Sequence, residues 1–419
     1  MVNQESINEV KSSTLRAGFR KPLYDSYCFG NIPATVEKIL TGKSNQIILP
    51  SDTLPKELSK YTNVVVILVD AMGWNLIEDN INTHPTLKHI NENGIISKLT
   101  AIFPSTTANC VTCMNTGLTS HDTGVIGWSY FVPELEALVR PLPYVYIEPY
   151  QYKGTLNSED FDFILNKGNF YERLHESDIE SHLVILNTYA KSNYNKKISN
   201  IRNIFGFNDL NEGLHYVKEE IQKSENRNYF YVYFDDIDKN SHVFGPHSEE
   251  IAHLTDRTLD DIYKNLIKDK SDDTLIMITA DHGHNQFDMK KTIMLNKEIP
   301  ELEDWVRTNT DGVKLISDGS IRHYYLYLKD EFISSAKDRI TKLLGNHALV
   351  LTKVEAIESG FYGNTKPSQK FIEHIGDLMI ITDPDTTVFW YHPLLPLHNN
   401  KGTHGGMSLD EMEIPLLVI

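Results

Sequence analysis

Aspartate and histidine occur together in three stretches of this chain: DIDKNSHVFGPHS, TADHGHNQ and KGTHGGMS. In the first, Asp238 and His242 are four apart, so one helical turn puts both side chains on one face. In the second, Asp281 and His282 are adjacent at what reads as a strand end, where neighbouring side chains diverge and can serve different ions. In the third, His404 stands among glycines, where the backbone can approach a ligand closely. Such hard-to-borderline donors suit zinc, manganese or iron. Of the 17 histidines most must be bland, and His284, His247, His253, His392 and His398 are expected to be structural or exposed.

A second kind of chemistry is written in FPSTTANCVTCMNTGL, residues 103–118. STTAN followed by CVTCMNTGL reads as a helix start, with Ser105 or Thr106 as the cap and free N–H groups facing an anion. A threonine hydroxyl there is a poor nucleophile at neutral pH. Coordination to a dication would lower its pKa and make it one. The cysteines Cys110 and Cys113 lack the second pair of a zinc knuckle and the context of a redox motif, so buried thiols are expected.

The elements that must position these groups are legible as strand-length apolar runs at 63–69, 183–186, 229–234, 274–279 and 378–381. They are continuous rather than alternating, as in parallel strands buried on both faces. Helix-like segments lie between them, such as 249–268, with Ile251, Leu254, Leu259, Ile262 and Leu266 at helical spacing. This predicts an α/β fold with a mostly parallel sheet. Three runs end in acid: at Asp70, at Asp235, Asp236 and Asp238, and at Asp281-His282. A lone Asp after a strand usually serves a turn or a helix cap. Three together at the carboxyl edge, where α/β sheets bind ligands, favour a metal site.

Composition sets outer bounds. A formal net charge of −17 disfavours an extended nucleic-acid surface, which needs a basic stripe. It leaves room for a small anionic substrate, because metal ions reverse the local field. Three cysteines give no disulfide framework, the N-terminal residues contain no apolar h-region, and no run approaches the ~18 apolar residues of a membrane span. A cytoplasmic protein without membrane contact is expected.

Six pieces in chain order, VVVILVDAMG, FPSTTANCVTCMNTGL, SHDTGVIGW, YFDDIDKNSHVFGP, TADHGH and GTHGG, resemble the alkaline phosphatase superfamily. Within it they look most like the nucleotide pyrophosphatase/phosphodiesterase branch and its bacterial members. The resemblance implies a three-layer α/β/α sandwich. Residues 1–284 with 401–419 would form the catalytic core, and 285–400 an inserted α+β cap. It implies two divalent ions, with zinc the family's expectation and manganese or iron suited to the same ligands. Asp238, His242 and His404 would hold one; Asp70, Asp281, His282 and the nucleophile would hold the other. The family's nucleophilic threonine, counted from Phe103-Pro104 and from Thr116-Gly117, falls on Thr107. The family's phosphate-holding asparagine counts to Cys110, a departure, so Asn109 and the Thr107 N–H are the expected donors.

The implied activity is hydrolysis of phosphodiester or nucleotide pyrophosphate bonds through a phospho-threonine. A phosphomonoesterase or phosphonate hydrolase is the alternative, with Arg140 or Arg322 as the added cation. A metal-dependent mutase fits less, because those enzymes use serine. A sulfatase lacks its Pro and Arg context here. The aromatic stretch 128–152 is expected either to wall the substrate or to pack on the core.

Overall fold

The computed structural model describes residues 1–147, 156, 170–198, 201, 203–316, 320–392 and 400–419. Its central sheet has seven strands: β1 (Asn63–Val69), β2 (Ile95–Thr100), β3 (Ile179–Leu186), β4 (Asn203–Phe207), β5 (Arg227–Phe234), β6 (Thr274–Thr279) and β7 (Glu413–Val418). Their spatial order is β2-β7-β6-β1-β5-β3-β4. From β6 to β4 every pairing is parallel, whereas β7 runs antiparallel to both β6 and β2. β1, NVVVILV, lies between two strands with all its residues buried, which is why after Asn63 it reads as an unbroken apolar, mostly β-branched run. The helices that matter below are α1 (Thr107–Thr116), α2 (Leu210–Lys223), α3 (Asp236–Phe244) and α4 (Glu249–Ile262). On α4 the predicted stripe Ile251, Leu254, Leu259 and Ile262 is buried, and the helix runs on through a wider turn at 263–267. This is the three-layer α/β/α arrangement expected from the sequence, with a mostly parallel sheet.

The run at 378–381 corrects one expectation. Its strand, Leu378–Thr382, belongs instead to a separate antiparallel sheet with His323–Leu326 and Ala348–Thr352. Leu378 and Ile380 face a local cluster with Leu326, Val350 and Trp390, while Met379 and Ile381 face the main core. Both faces are buried, so the strand mimics a parallel one in sequence. The ribbon Asn285–Gln286 with Gly402–Thr403 pairs the chain just before and just after the stretch that holds this second sheet.

β2 was hidden in the sequence by Ser97 and Lys98, polar residues in its middle. Lys98 is buried all the same. Its Nζ lies 2.6 Å from Glu413 Oε2 on β7 and 4.8 Å from the Trp74 ring centroid, and Arg20 Nε lies 2.6 Å from Glu413 Oε1. Among the described residues no helix is long and apolar enough to cross a membrane.

Candidate active site

The carboxyl ends of β1, β5 and β6 bring the acids together. Asp70 follows β1, and its N–H donates to Phe234 O at the end of β5 (2.8 Å). The next residue, Ala71, takes the left-handed conformation (φ 63°), which aims its N–H at Asp281 Oδ1 (3.0 Å). The His282 N–H donates to the same oxygen (3.0 Å). Asp281 Oδ1 is therefore occupied, and its buried Oδ2 has no hydrogen-bond partner among the described residues. Asp70 behaves alike: Oδ2 accepts from Tyr233 OH (2.5 Å) and Thr107 Oγ1 (3.4 Å), while buried Oδ1 has none among those residues. Gly283 must be glycine, because a Cβ there would meet Asp410 O at 2.1 Å.

Three imidazoles are aimed by one device. Nδ1 of His242 faces Gly402 O (2.9 Å), Nδ1 of His282 faces Gly283 O (3.1 Å) and Nδ1 of His404 faces Ser105 O (3.0 Å). A carbonyl partner requires the proton on Nδ1, which leaves Nε2 as a bare donor atom. These Nε2 atoms point at carboxylates. His282 Nε2 stands 3.5 Å from Asp70 Oδ1, 3.3 Å from Asp281 Oδ2 and 3.3 Å from Thr107 Oγ1. His242 and His404 place Nε2 at 3.5 and 3.7 Å from Asp238 Oδ1. Bare nitrogen and carboxylate lone pairs repel unless a cation lies between them. Two donors on one tetrahedral ion with ~2.1 Å bonds stand roughly 3.4 Å apart, which matches these separations. The residues thus fit a pair of divalent ions, and His282 and His404 stack at 3.8 Å between the two groups.

Electrostatics agree. Burial, reinforced by Asp281 and Asp238, pushes the Asp70 carboxyl well above its usual range, and burial holds His404 well below the ordinary imidazole value. Burial also raises Asp281. Asp238 runs the other way: burial opposes its charge, yet positive charge on His242, His284 and His404 would hold it well below the usual carboxylate range, the part a bound cation takes when those rings are neutral. Clustered acids with raised pKa values are what a bound dication reverses.

Thr107 opens α1 with Thr106 at the cap position. Neither predicted capping hydroxyl closes on the helix backbone: Ser105 donates to Gly406 O (2.8 Å) and Thr106 to Asn109 Oδ1 (2.7 Å). Asn109 is a correction. Its amide donates to Ser120 Oγ (2.7 Å) and Val125 O (2.8 Å), so it holds the 120–125 loop and presents no N–H to a phosphate. Cys110 is equally committed, its buried Sγ pointing at Asp281 O (3.3 Å). Cys28, Cys110 and Cys113 are all buried free thiols.

Two cavities flank Thr107, of 350 and 520 Å³, and Thr107, Trp128 and Asp238 line both. Arg140 lines the smaller one. Arg322 reaches neither. It is buried in a two-pronged pair with Glu411 (2.9 Å each). The aromatic wall of the larger cavity comes mainly from Tyr189, Tyr194, Tyr231 and Tyr233, with Trp128 the contribution of the predicted 128–152 stretch. Tyr130 and Phe131 of that stretch pack inward, and 148–152 lie outside the described residues.

The histidine missed from sequence is His284. His247 and His253 are exposed as expected, and His398 lies outside the described residues. His284 is instead buried beside Asp238. The signal was its spacing: two residues past His282 in extended chain returns a side chain to the same side.

A family model described as type I phosphodiesterase / nucleotide pyrophosphatase matches residues 64–407. No curated protein sequence gives a match. Among solved structures, murine ectonucleotide pyrophosphatase/phosphodiesterase 5, in an inactive form in complex with AMP, aligns with a TM-score of 0.64 at 15% identity, over 84% of this chain and 87% of that one. The human counterpart gives 0.64 at 16% identity, over 85% and 87%. Phosphonoacetate hydrolase from Sinorhizobium meliloti, in complex with phosphonoacetate, gives 0.61 at 17% identity, over 84% and 89%. At these identities the likeness is one of fold.

Proposed function

The chain belongs to the type I phosphodiesterase / nucleotide pyrophosphatase family, and from that premise we propose that it is a two-metal hydrolase of phosphodiester or nucleotide pyrophosphate bonds that works through a phospho-threonine. The observation that carries this reading is the place of Thr107 Oγ1, 3.3 Å from His282 Nε2 and 3.4 Å from Asp70 Oδ2, beside carboxylate oxygens that lack hydrogen-bond partners among the described residues. Asp70, Asp281, His282 and Thr107 would hold one ion, and Asp238, His242 and His404 the other. Bound there, the ions supply Lewis acidity that favours the threonine alkoxide and offsets charge on the phosphoryl oxygens.

The Thr107 hydroxyl loses its proton to solvent, and its Oγ1 bonds to phosphorus as the ester oxygen on the far side departs with its electron pair and takes up a proton. With the Asn109 side chain turned inward, and the Asn109 and Cys110 N–H groups donating to Thr106 O (3.1 Å each), the Thr107 N–H at the start of α1 is the backbone donor proposed for a phosphoryl oxygen. Water then attacks the phospho-threonine, its P–Oγ1 bond breaks, and the hydroxyl is restored. Two in-line displacements give net retention at phosphorus. The paired cavities on either side of Thr107 suit a diester, one substituent in each.

Arg140 in the smaller cavity favours a second reading, hydrolysis of a monoester or phosphonate whose extra negative charge it would meet. The deciding experiment compares bis-p-nitrophenyl phosphate, p-nitrophenyl phosphate and phosphonoacetate with and without chelator. Faster, chelator-sensitive turnover of the diester is expected. A faster monoester or phosphonate reaction would favour the second reading, and a metal-free protein indifferent to chelator would overturn both. Inversion with a chiral phosphorothioate diester would overturn the covalent step.

A further inference from the structure

Three imidazoles surround Asp238, and one of them stands apart in its geometry. His284 Nε2 lies 2.7 Å from Asp238 Oδ1, against 3.5 Å for His242 and 3.7 Å for His404. The longer two match the separation of donors that share an ion. At 2.7 Å the third is too close for that and has hydrogen-bond length. The second difference is on the opposite nitrogen. His242, His282 and His404 each rest Nδ1 on a backbone carbonyl, but the buried Nδ1 of His284 has no hydrogen-bond partner among the described residues. The Gly402 backbone closes over it, so that a Cβ there would come within 2.9 Å of Nδ1. A buried N–H without an acceptor is costlier and rarer than an acceptor without a donor. The single proton of a neutral His284 therefore sits on Nε2, where Asp238 receives it.

We propose that His284 is a positioning residue for the ion site at Asp238, donating its Nε2–H to one lone pair of Asp238 Oδ1 while the other lone pair faces the space between His242 and His404. The inference rests on the two-ion reading and deepens it. His284 itself binds no ion; it fixes the rotation of the carboxylate that does. The ring is held for this task, 4.6 Å from the ring of His242 and 4.9 Å from that of His404. Removing such a hydrogen bond from a ligand typically weakens metal affinity 10–100-fold.

The test is cobalt(II) binding to the full chain, stripped by chelator, followed by visible absorption and by competition for affinity. Wild type is compared with His284→Gln, whose amide N–H reaches the place of Nε2, and His284→Met, of similar length without a donor. Two ions per wild-type chain are expected. His284→Met should weaken one site 10–100-fold and leave the other unchanged, while His284→Gln stays within about threefold of wild type with the same absorption bands. Equal affinity in Gln and Met variants would overturn the proposal. So would shifted bands in His284→Gln, since they mean that a nitrogen ligand was lost. A wild-type chain that takes up no cobalt would overturn the two-ion reading itself. Melting temperatures in chelator, expected to agree among the three proteins, separate loss of the hydrogen bond from general misfolding.

Discussion

At the scale of single residues, the site depends on which atoms are already occupied. Asp281 spends one oxygen on two backbone amides and, among the described residues, keeps the other without a hydrogen-bond partner, and the left-handed turn at Ala71 makes one of those bonds. Thr107→Ala removes the nucleophile and leaves these oxygens in place. We expect kcat on a diester to fall by at least about 10⁴-fold with cobalt binding largely retained, and a variant that keeps substantial turnover would refute Thr107 as nucleophile. Residue types at strand ends made Asp70, Asp238 and Asp281 legible. The direction of a side chain at a helix start is not written in the sequence. Asn109 has the right chemistry for a phosphate, but Ser120, eleven residues on, had to be brought beside it before its commitment could be known. His284 was passed over for the same reason, since its partner Asp238 is 46 positions away.

At the scale of elements, the apolar runs located the central strands well and the outer ones poorly. β1 and β6 match their predicted bounds, because strands buried on both faces need uninterrupted apolar residues. β2 breaks that pattern with Lys98, whose charge is buried and matched on the neighbouring strand by Glu413, itself shared with Arg20. Such a network resists prediction from local sequence because its members come from three distant segments. Glu413→Gln would leave buried Arg20 and Lys98 facing a neutral amide, with Glu78 Oε1, 3.9 Å from Lys98 Nζ, as the remaining carboxylate. We expect a loss of 3–5 kcal/mol in urea unfolding. A loss under about 1 kcal/mol would mean that solvent reaches the network. The strand Leu378–Thr382 shows the complementary failure: a run buried between two different cores looks like a parallel strand.

At the scale of the whole molecule, contacts between distant segments of the chain hold it together, and the one between His374 and Gly124 titrates. His374 is buried with Nδ1 2.6 Å from Gly124 O, and burial, outweighing that bond, lowers its pKa from 6.5 to about 4. The unfolded chain therefore takes up the proton first as pH falls. Stability from this group is complete above pH 6.5 and is lost as pH drops from 6.5 toward 4, by up to roughly 3 kcal/mol. His374→Gln should flatten part of the decline in unfolding free energy between pH 7 and pH 5, and an unchanged slope would assign it to other groups. Overall class was readable because strands alternate with helices; strand order was not, because β7 enters between β6 and β2. That insertion has a consequence in time. Apart from single bridges to Val2 and Cys28, β2 pairs among the described residues with a strand more than 300 residues later, and His404 arrives on the same late segment. Pairings so distant in sequence form slowly. The parallel strands can assemble while synthesis continues, yet the residues proposed to hold the ions come together only when the closing strand slots in. On that proposal, ion capture would be a last event in maturation, a seal on a finished sheet rather than a seed for it.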